Sequence, residues 1–435
     1  MRKPPLWALV VAAGLMGAFA YGQGSGYPSL DFNGYQTSLI KDPFGGRVAV
    51  GYAVSSDHKG DILIGGAFSD AAGVYHMAVL RLERDGTLDP LFGSGGGVYA
   101  AADPPDLGTA MAVDGRGRVL VAGLLGASFN QSGFAVLRRF LPDGKPDPSF
   151  ARGALIRAAG PFGGHAAAYA VAVQGPRILI AGTVSGPKGS AWGAVWRFWN
   201  GGLPDVSFGR NGVVLLPAPP GAQAQVRALL LGPDHSVLAA GSVAGRMALW
   251  KISAQGHRDK SFGINGVAVG LPGQARGLAA DASGDSWLTG FRNQYNPVVA
   301  AVARQSAAVA LFTPKGASDG NFSRWGTVAL PTPELFSNAQ AFAMAPDPHG
   351  GFYAAGYARG PSNQACFWAF DSSGRLITGF GSNGILVLPN APGGVDDRAY
   401  AIAFDRSGRI LAAGLSRDKS GEIRLALWRV QPAGY

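Results

Sequence analysis

Short apolar tracts of four to six residues, divided by turns rich in glycine, aspartate and serine, run along the whole chain. Tracts of that length are too short for a typical helix. Valine, leucine, isoleucine and aromatic residues recur in them, which predicts β-strands. No longer stretch carries the 3.6-residue period of an amphipathic helix. Between Phe208 and Gly256 the pattern predicts four strands: 212–216, 226–231, 237–240 closed by Gly241, and 247–252. Asp234-His235-Ser236 makes a tight turn between the second and the third.

The same order of elements recurs. One anchor is a phenylalanine, usually with a small residue after it: Phe32, Phe92, Phe150, Phe208, Phe262, Phe322 and Phe380, at intervals of 60, 58, 58, 54, 60 and 58 residues. A second is an apolar tract ending in Gly66, Gly123, Gly182, Gly241, Gly290, Gly356 or Gly414. A third is a turn glycine: Gly86, Gly144, Gly202, Gly256, Gly316, Gly374 and Gly434. Three markers agree on seven copies of one unit. Four strands per copy predict an all-β fold, a seven-bladed β-propeller with about four short antiparallel strands per blade. Curling into a ring protects sheet edges that a linear stack leaves open. A linear β-solenoid is the competing architecture, but its coils have shorter periods and fewer turns.

The clearest copy is Asp85-Gly86-Thr87-Leu88-Asp89-Pro90-Leu91-Phe92-Gly93, followed by Gly117-Arg118-Val119-Leu120-Val121-Ala122-Gly123. This resembles the signature of the bacterial delta-60 repeat family, and the resemblance runs over residues 30 to 434. Three copies depart from the glycine after Phe, with Asn33, Ala151 and Ser323 in its place. The resemblance implies a repeat protein and no particular reaction.

Residues that recur once per unit are expected to do a job needed once per blade. Asp89, Asp147, Asp205, Asp259 and Asp319 each stand three residues before Phe, where a short carboxylate can accept backbone N–H bonds and hold a turn. One carboxylate per blade leaves them too far apart for calcium, which needs six to eight converging oxygens. Five residues before the third-anchor glycine come Arg81, Arg139, Arg197, Lys251 and Arg429, with Leu311 and Ala369 in the other two copies. The Ala369 copy also lacks the aspartate, having Ile377, which suggests that base and acid pair. Trp196, Trp250, Trp368 and Trp428 precede this column and are expected to pack between blades rather than to form sugar-stacking platforms.

The first residues have the pattern of an export signal: Arg2 and Lys3, an apolar run over 6–20, and Ala18-Phe19-Ala20 before the cut. Residues 1–20 are therefore expected to be a signal peptide, 21–29 a leader and 30–435 one propeller domain. The run is too short to span a bilayer, so no transmembrane segment is expected after cleavage. The destination would be secreted, periplasmic or cell-surface. The single cysteine, Cys366, sits in an apolar stretch and predicts a buried thiol rather than a nucleophile. A net charge of +10 is spread thinly, without the basic stripe of a nucleic-acid binder.

Chemistry is sparse. Among the six histidines, His58, His235 and His349 fall in equivalent turns on different blades, and no metal-ligand spacing occurs. No nucleophile elbow, Walker loop or dinucleotide fingerprint is present, so no catalytic, cofactor or metal residue is assigned. The turns repeat while the other loops vary, including 101–107, 160–165, 217–225, 291–305, 331–337 and 390–398, which places recognition on the variable face. Arg292, Asn293, Tyr295 and Asn296 are candidates in the longest excursion, and Asp396, Asp397 and Arg398 in the densest charged cluster. These features favour an exported noncatalytic binding or scaffolding protein whose partner is a protein or polysaccharide of the cell envelope. The alternatives are a propeller enzyme acting on glycans or other small substrates (hydrolase, lyase, lactonase or quinoprotein) and a self-assembling surface component.

Overall fold

The computed structural model describes residues 37–99, 105–126, 133–153, 155–296, 301–320, 322, 326–331, 336–347 and 350–433. The expected signal peptide and leader, Phe32, His349 and Gly434 lie outside the described residues. Apart from two single 3-10 turns at Ala151–Gly153 and Pro187–Gly189, the regular structure described is all β. No helix among the described residues is long and apolar enough to cross a membrane.

After β1 (Thr37–Ile40) the chain makes four-stranded antiparallel meanders. The first holds β2 (Gly45–Ser56), β3 (Ile62–Asp70), β4 (Tyr75–Leu82) and β5 (Gly97–Tyr99). Next come β6 (Asp106–Val113), β7 (Val119–Leu125), β8 (Phe134–Phe140) and β9 (Ile156–Ala158). They are followed by β10 (Ala166–Gln174), β11 (Arg177–Ser185), β12 (Ala191–Trp199) and β13 (Val213–Leu216). Then β14 (Ala224–Leu231), β15 (Val237–Val243) and β16 (Arg246–Ile252) lead into β17 (Val267–Ala280). That long strand ends one meander and begins another with β18 (Ser286–Asn296), β19 (Ala301–Phe312) and β20 (Thr327–Ala329). The chain finishes with β21 (Asn338–Pro346), β22 (Phe352–Arg359), β23 (Asn363–Phe370) and β24 (Ile385–Val387), then β25 (Gly394–Phe404), β26 (Ile410–Asp418) and β27 (Ile423–Val430).

Pairing gathers the strands into sheets of twelve, seven, four and four. The largest is three meanders joined by single parallel pairings, Asn363 with Asp396 and Val48 with Ile423. The inner strands β2, β6, β10, β14, β17, β21 and β25 each pack on the next, and β25 packs on β2. The result is a β-propeller around a central channel. The outer place beside β27 is filled from the other end of the chain by β1, with Thr37 opposite Trp428 and Ile40 opposite Leu425.

The sequence copies are out of phase with the sheets. The strand after each Phe anchor was expected to open a unit, but β13 pairs with the preceding β12. The cause is the turn before it. Asp205 Oδ1 accepts the N–H and hydroxyl of Ser207, folding the chain back along the edge it has just left. Asp89, Asp147 and Asp259 hold equivalent turns through Leu91, Ser149 and Ser261, and the Asp319 N–H donates to the Leu311 carbonyl.

The remaining carboxylate oxygen of these aspartates faces the basic column. Arg81, Arg139 and Arg197 Nε lie 2.6, 2.7 and 2.9 Å from Asp89, Asp147 and Asp205, and Lys251 Nζ lies 3.6 Å from Asp259. Each of these guanidiniums also covers its Phe anchor, with Arg197 4.2 Å from the Phe208 ring centroid, Arg139 4.4 Å from Phe150 and Arg81 4.7 Å from Phe92. Arg81 and Arg197 then donate to turn carbonyls of the following meander, Pro142 at 2.7 Å and Ala254 at 2.6 Å. Arg429 reaches Arg84 at 2.6 Å in the same way, so one latch joins the first meander to the second, the third to the fourth, and the last to the first. Its own carboxylate neighbour is Asp405 at 3.6 Å. The buried tryptophans 196, 250, 368 and 428 lie in clusters that span neighbouring meanders. Phe262 and Phe380 are buried too, while Phe322 packs edge-on against Trp287. Cys366 is buried in this packing, which pushes its thiol pKa up.

Candidate functional site

The second-anchor glycines explain how side chains reach the channel. Gly241 was expected to end its strand, yet β15 continues to Val243. A Cβ on Gly241 would lie 1.9 Å from the Gln225 carbonyl oxygen of the inner strand, and the other six anchor glycines meet a carbonyl at 1.8 to 2.0 Å. Only glycine allows that approach. Beside it the inner strand bulges: Val226 pairs with Gly241 and Ala228 with Ala240, leaving Arg227 as the extra residue. A bulge re-aims the side chain it carries.

The same register shift recurs at Tyr52, Thr109, Tyr169, Arg276, Phe342 and Tyr400. Together with Arg227 these residues line one central cavity of about 900 Å3. Alanine, or glycine in the case of Gly277, follows each of them. The column was present in the sequence, fourteen residues before the anchor glycine in six copies and thirteen in the other, where Tyr169 precedes Gly182. Its residue types differ from copy to copy, so no single-residue pattern marks it.

The cavity wall has two kinds of surface. Phe342, Tyr400 and Tyr52 form a chain of rings, with centroids 4.9 and 5.2 Å apart. Burial, reinforced by the neighbouring Tyr400 and Tyr75, pushes the Tyr52 hydroxyl up to about 12, and burial raises Tyr400 as well. Both are therefore neutral hydrogen-bond donors at ordinary pH. The other surface is cationic. The Arg227 guanidinium lies 3.8 Å from the Tyr169 ring centroid, and Arg276 sits 5.7 and 5.4 Å from those of Phe291 and Phe342. Burial lowers both arginine pKa values, and Arg227 helps bring Arg276 down to about 10. Thr109 is the small member of the ring, its hydroxyl donating to the Ala168 carbonyl at 2.6 Å.

The sequence candidates lie elsewhere and need correction in their local structure. Arg292, Asn293, Tyr295 and Asn296 belong to β18, not to an irregular loop, and pair with β19 on either side of a register shift between Gln294 and Tyr295. Polar side chains hide the strand: the Asn293 amide oxygen accepts from Gln305 Nε2 at 2.9 Å across the hairpin. Asp396, Asp397 and Arg398 lie in β25 and are not a solvated loop cluster. Asp396 is buried and bound by Arg398 at 2.7 Å, Arg417 at 3.1 Å and the Asn363 amide at 2.8 Å. Asp397 is buried too, accepts the Ala391 N–H at 2.7 Å, and has its pKa raised by desolvation. The two sets are separated by the β21–β24 meander and do not form one site. Among the described residues, no group of three His, Cys, Asp or Glu is placed to hold a metal ion.

A family model described as a domain of unknown function (DUF5122), beta-propeller, matches residues 60–92 and 117–150. Each segment covers an anchor-glycine strand, its hairpin partner and the turn to a Phe anchor. No curated protein matches the sequence. Among solved structures, the chain is similar to a subtype N11 neuraminidase-like protein of A/flat-faced bat/Peru/033/2010 (H18N11). Identity is 11% and the TM-score 0.46, over 98% of this chain and 97% of that one. A protein of unknown function from Dyadobacter fermentans DSM 18053 aligns at 12% identity and TM-score 0.43, over 91% and 98%. A glucose dehydrogenase aligns at 12% and 0.42, over 73% and 95%. The chain is thus similar, over two short segments, to a propeller family of unassigned function.

Proposed function

We propose that this chain is a noncatalytic ligand-binding module, a seven-bladed propeller whose central channel receives a small molecule. The observation that carries the reading is the set of bulged residues, one per inner strand, turned into one cavity of about 900 Å3, a volume suited to a small ligand. Regular bulges spend backbone pairing to aim side chains that differ around the ring, as recognition requires. The lining groups suit holding better than reaction. Buried tyrosines with raised pKa values and arginines are poor general bases near neutral pH. The basic n-region, apolar run and Ala18-Phe19-Ala20 support export to the periplasm, the cell surface or the medium. The earlier recognition residues in β18 and β25 become secondary to the channel in this reading.

Thr109→Trp tests it, because that substitution puts a large ring into the channel beside Tyr52 and Tyr169, at the small member of the lining. Small aromatic compounds added to the purified protein should raise the melting temperature of the wild type and not that of T109W. Equal responses from the two proteins would place binding outside the channel.

A further inference from the structure

We propose that Arg227 and Arg276 together grip the oxyanion of a small ligand whose flat ring lies along the Phe342–Tyr400–Tyr52 arc. This rests on the channel being the binding site and adds the chemistry of what enters it. The two arginines occupy equivalent bulges on the neighbouring inner strands β14 and β17 and face the same cavity.

Their surroundings set them apart. The buried Arg139 and Arg197 and the half-buried Arg81 and Arg138 each have a carboxylate within 3.0 Å, and buried Arg429 has one at 3.6 Å. Arg227 and Arg276 form no ion pair among the described residues, and the buried Nε of each has no hydrogen-bond partner. The neutral Gln225 amide oxygen takes the place of an acid, accepting from Arg227 at 2.9 Å and from Gln274 at 3.1 Å. Aromatic rings lie against both guanidiniums, with ring centroids 3.8 to 5.7 Å away, and a guanidinium without a carboxylate partner can present its fork to a carboxylate or phosphate. Two like charges facing one partly dehydrated channel repel, and Arg227 is among the groups that lower the Arg276 pKa. An oxyanion between them offsets that repulsion and gives the two guanidiniums the counter-charge that no carboxylate among the described residues supplies. The ring arc alongside offers its faces to a flat apolar body, and the neutral tyrosine hydroxyls can donate to polar groups at its rim.

Benzoate, phenyl phosphate, inorganic phosphate and uncharged benzyl alcohol separate the contributions when titrated calorimetrically at constant ionic strength. Benzoate or phenyl phosphate should bind wild type about tenfold more tightly than benzyl alcohol, the scale of a charge-assisted hydrogen bond. Which of the two binds tighter identifies the oxyanion class, and weaker binding by inorganic phosphate shows the share of the ring. The double variant R227Q/R276Q should bind all the ring compounds at the benzyl alcohol level, and R276Q alone should show the larger part of that loss if the double variant does not fold. Equal binding of charged and neutral compounds by wild type, with T109W blocking both, would overturn the oxyanion grip and leave the channel reading standing. Binding that T109W leaves intact, or no binding by any compound, would overturn both.

Discussion

At the scale of single residues, the recurring acid–base pair carries two tasks at once. Asp205 holds a turn with one oxygen and two arginines with the other, Arg197 at 2.9 Å and Arg177 at 3.0 Å. Arg197 and Asp205 side chains are only 3% and 1% exposed. Removing one member of so buried a pair strands the other, which costs about 3–5 kcal/mol. Burial alone pushes the Asp205 pKa up, but donors from Ser207 and Arg197 outweigh it and leave the carboxyl below its ordinary value of 3.8. A depressed folded-state pKa means stability that is present above the unfolded value and lost as pH falls through the folded one. Asp205→Asn should therefore lower stability at pH 7 by that amount in urea unfolding. The gap between variant and wild type should narrow below about pH 4. A constant gap down to pH 2 would show that the lost turn geometry, not the charge, is responsible.

At the scale of elements, residues that satisfy a backbone need were legible and residues that serve the channel were not. Gly241 and Phe208 recur as types in all seven copies and Asp205 in five, because each answers one steric or hydrogen-bonding demand of the repeat. Tyr169, Arg227 and Phe342 share a position but not a type, so the repeat gave no reason to align them. The bulge compounds the difficulty, since an extra residue breaks the two-residue alternation by which a strand face is recognised. The β18–β19 hairpin was missed for another reason. Its outer part is held by backbone pairing and amide contacts such as Asn293 with Gln305, without apolar alternation. The strand following each Phe was seen but assigned to the wrong neighbour, because a tract of four residues such as Val213–Leu216 carries no mark of its partner. Since Gly241 faces the Gln225 carbonyl at the bulge, Gly241→Ala should cost about 2 kcal/mol or more by overpacking. It should also weaken ligand binding through Arg227, measurable as a lower melting temperature together with a reduced response to benzoate. A variant that loses stability but binds as wild type would separate the glycine from the aim of Arg227.

At the scale of the whole molecule, closure determines what the channel can be. β1 completes the edge beside β27, and the Arg429 bond to Arg84 repeats between last and first meanders the latch used elsewhere. A closed ring keeps its inner strands in fixed relation, so side chains from β14 and β17 can face rings from β21, β25 and β2 across a constant gap. That rigidity keeps two arginines facing one channel with no carboxylate paired to either among the described residues, a cost the fold carries in the absence of ligand. Whether ligands bind in the channel is decided by a crystal structure of the protein grown with phenyl phosphate. The phosphate should lie between Arg227 and Arg276, with the phenyl ring against Phe342 and Tyr400. Phenyl phosphate bound only on the outer surface, with solvent alone in the channel, would contradict binding there.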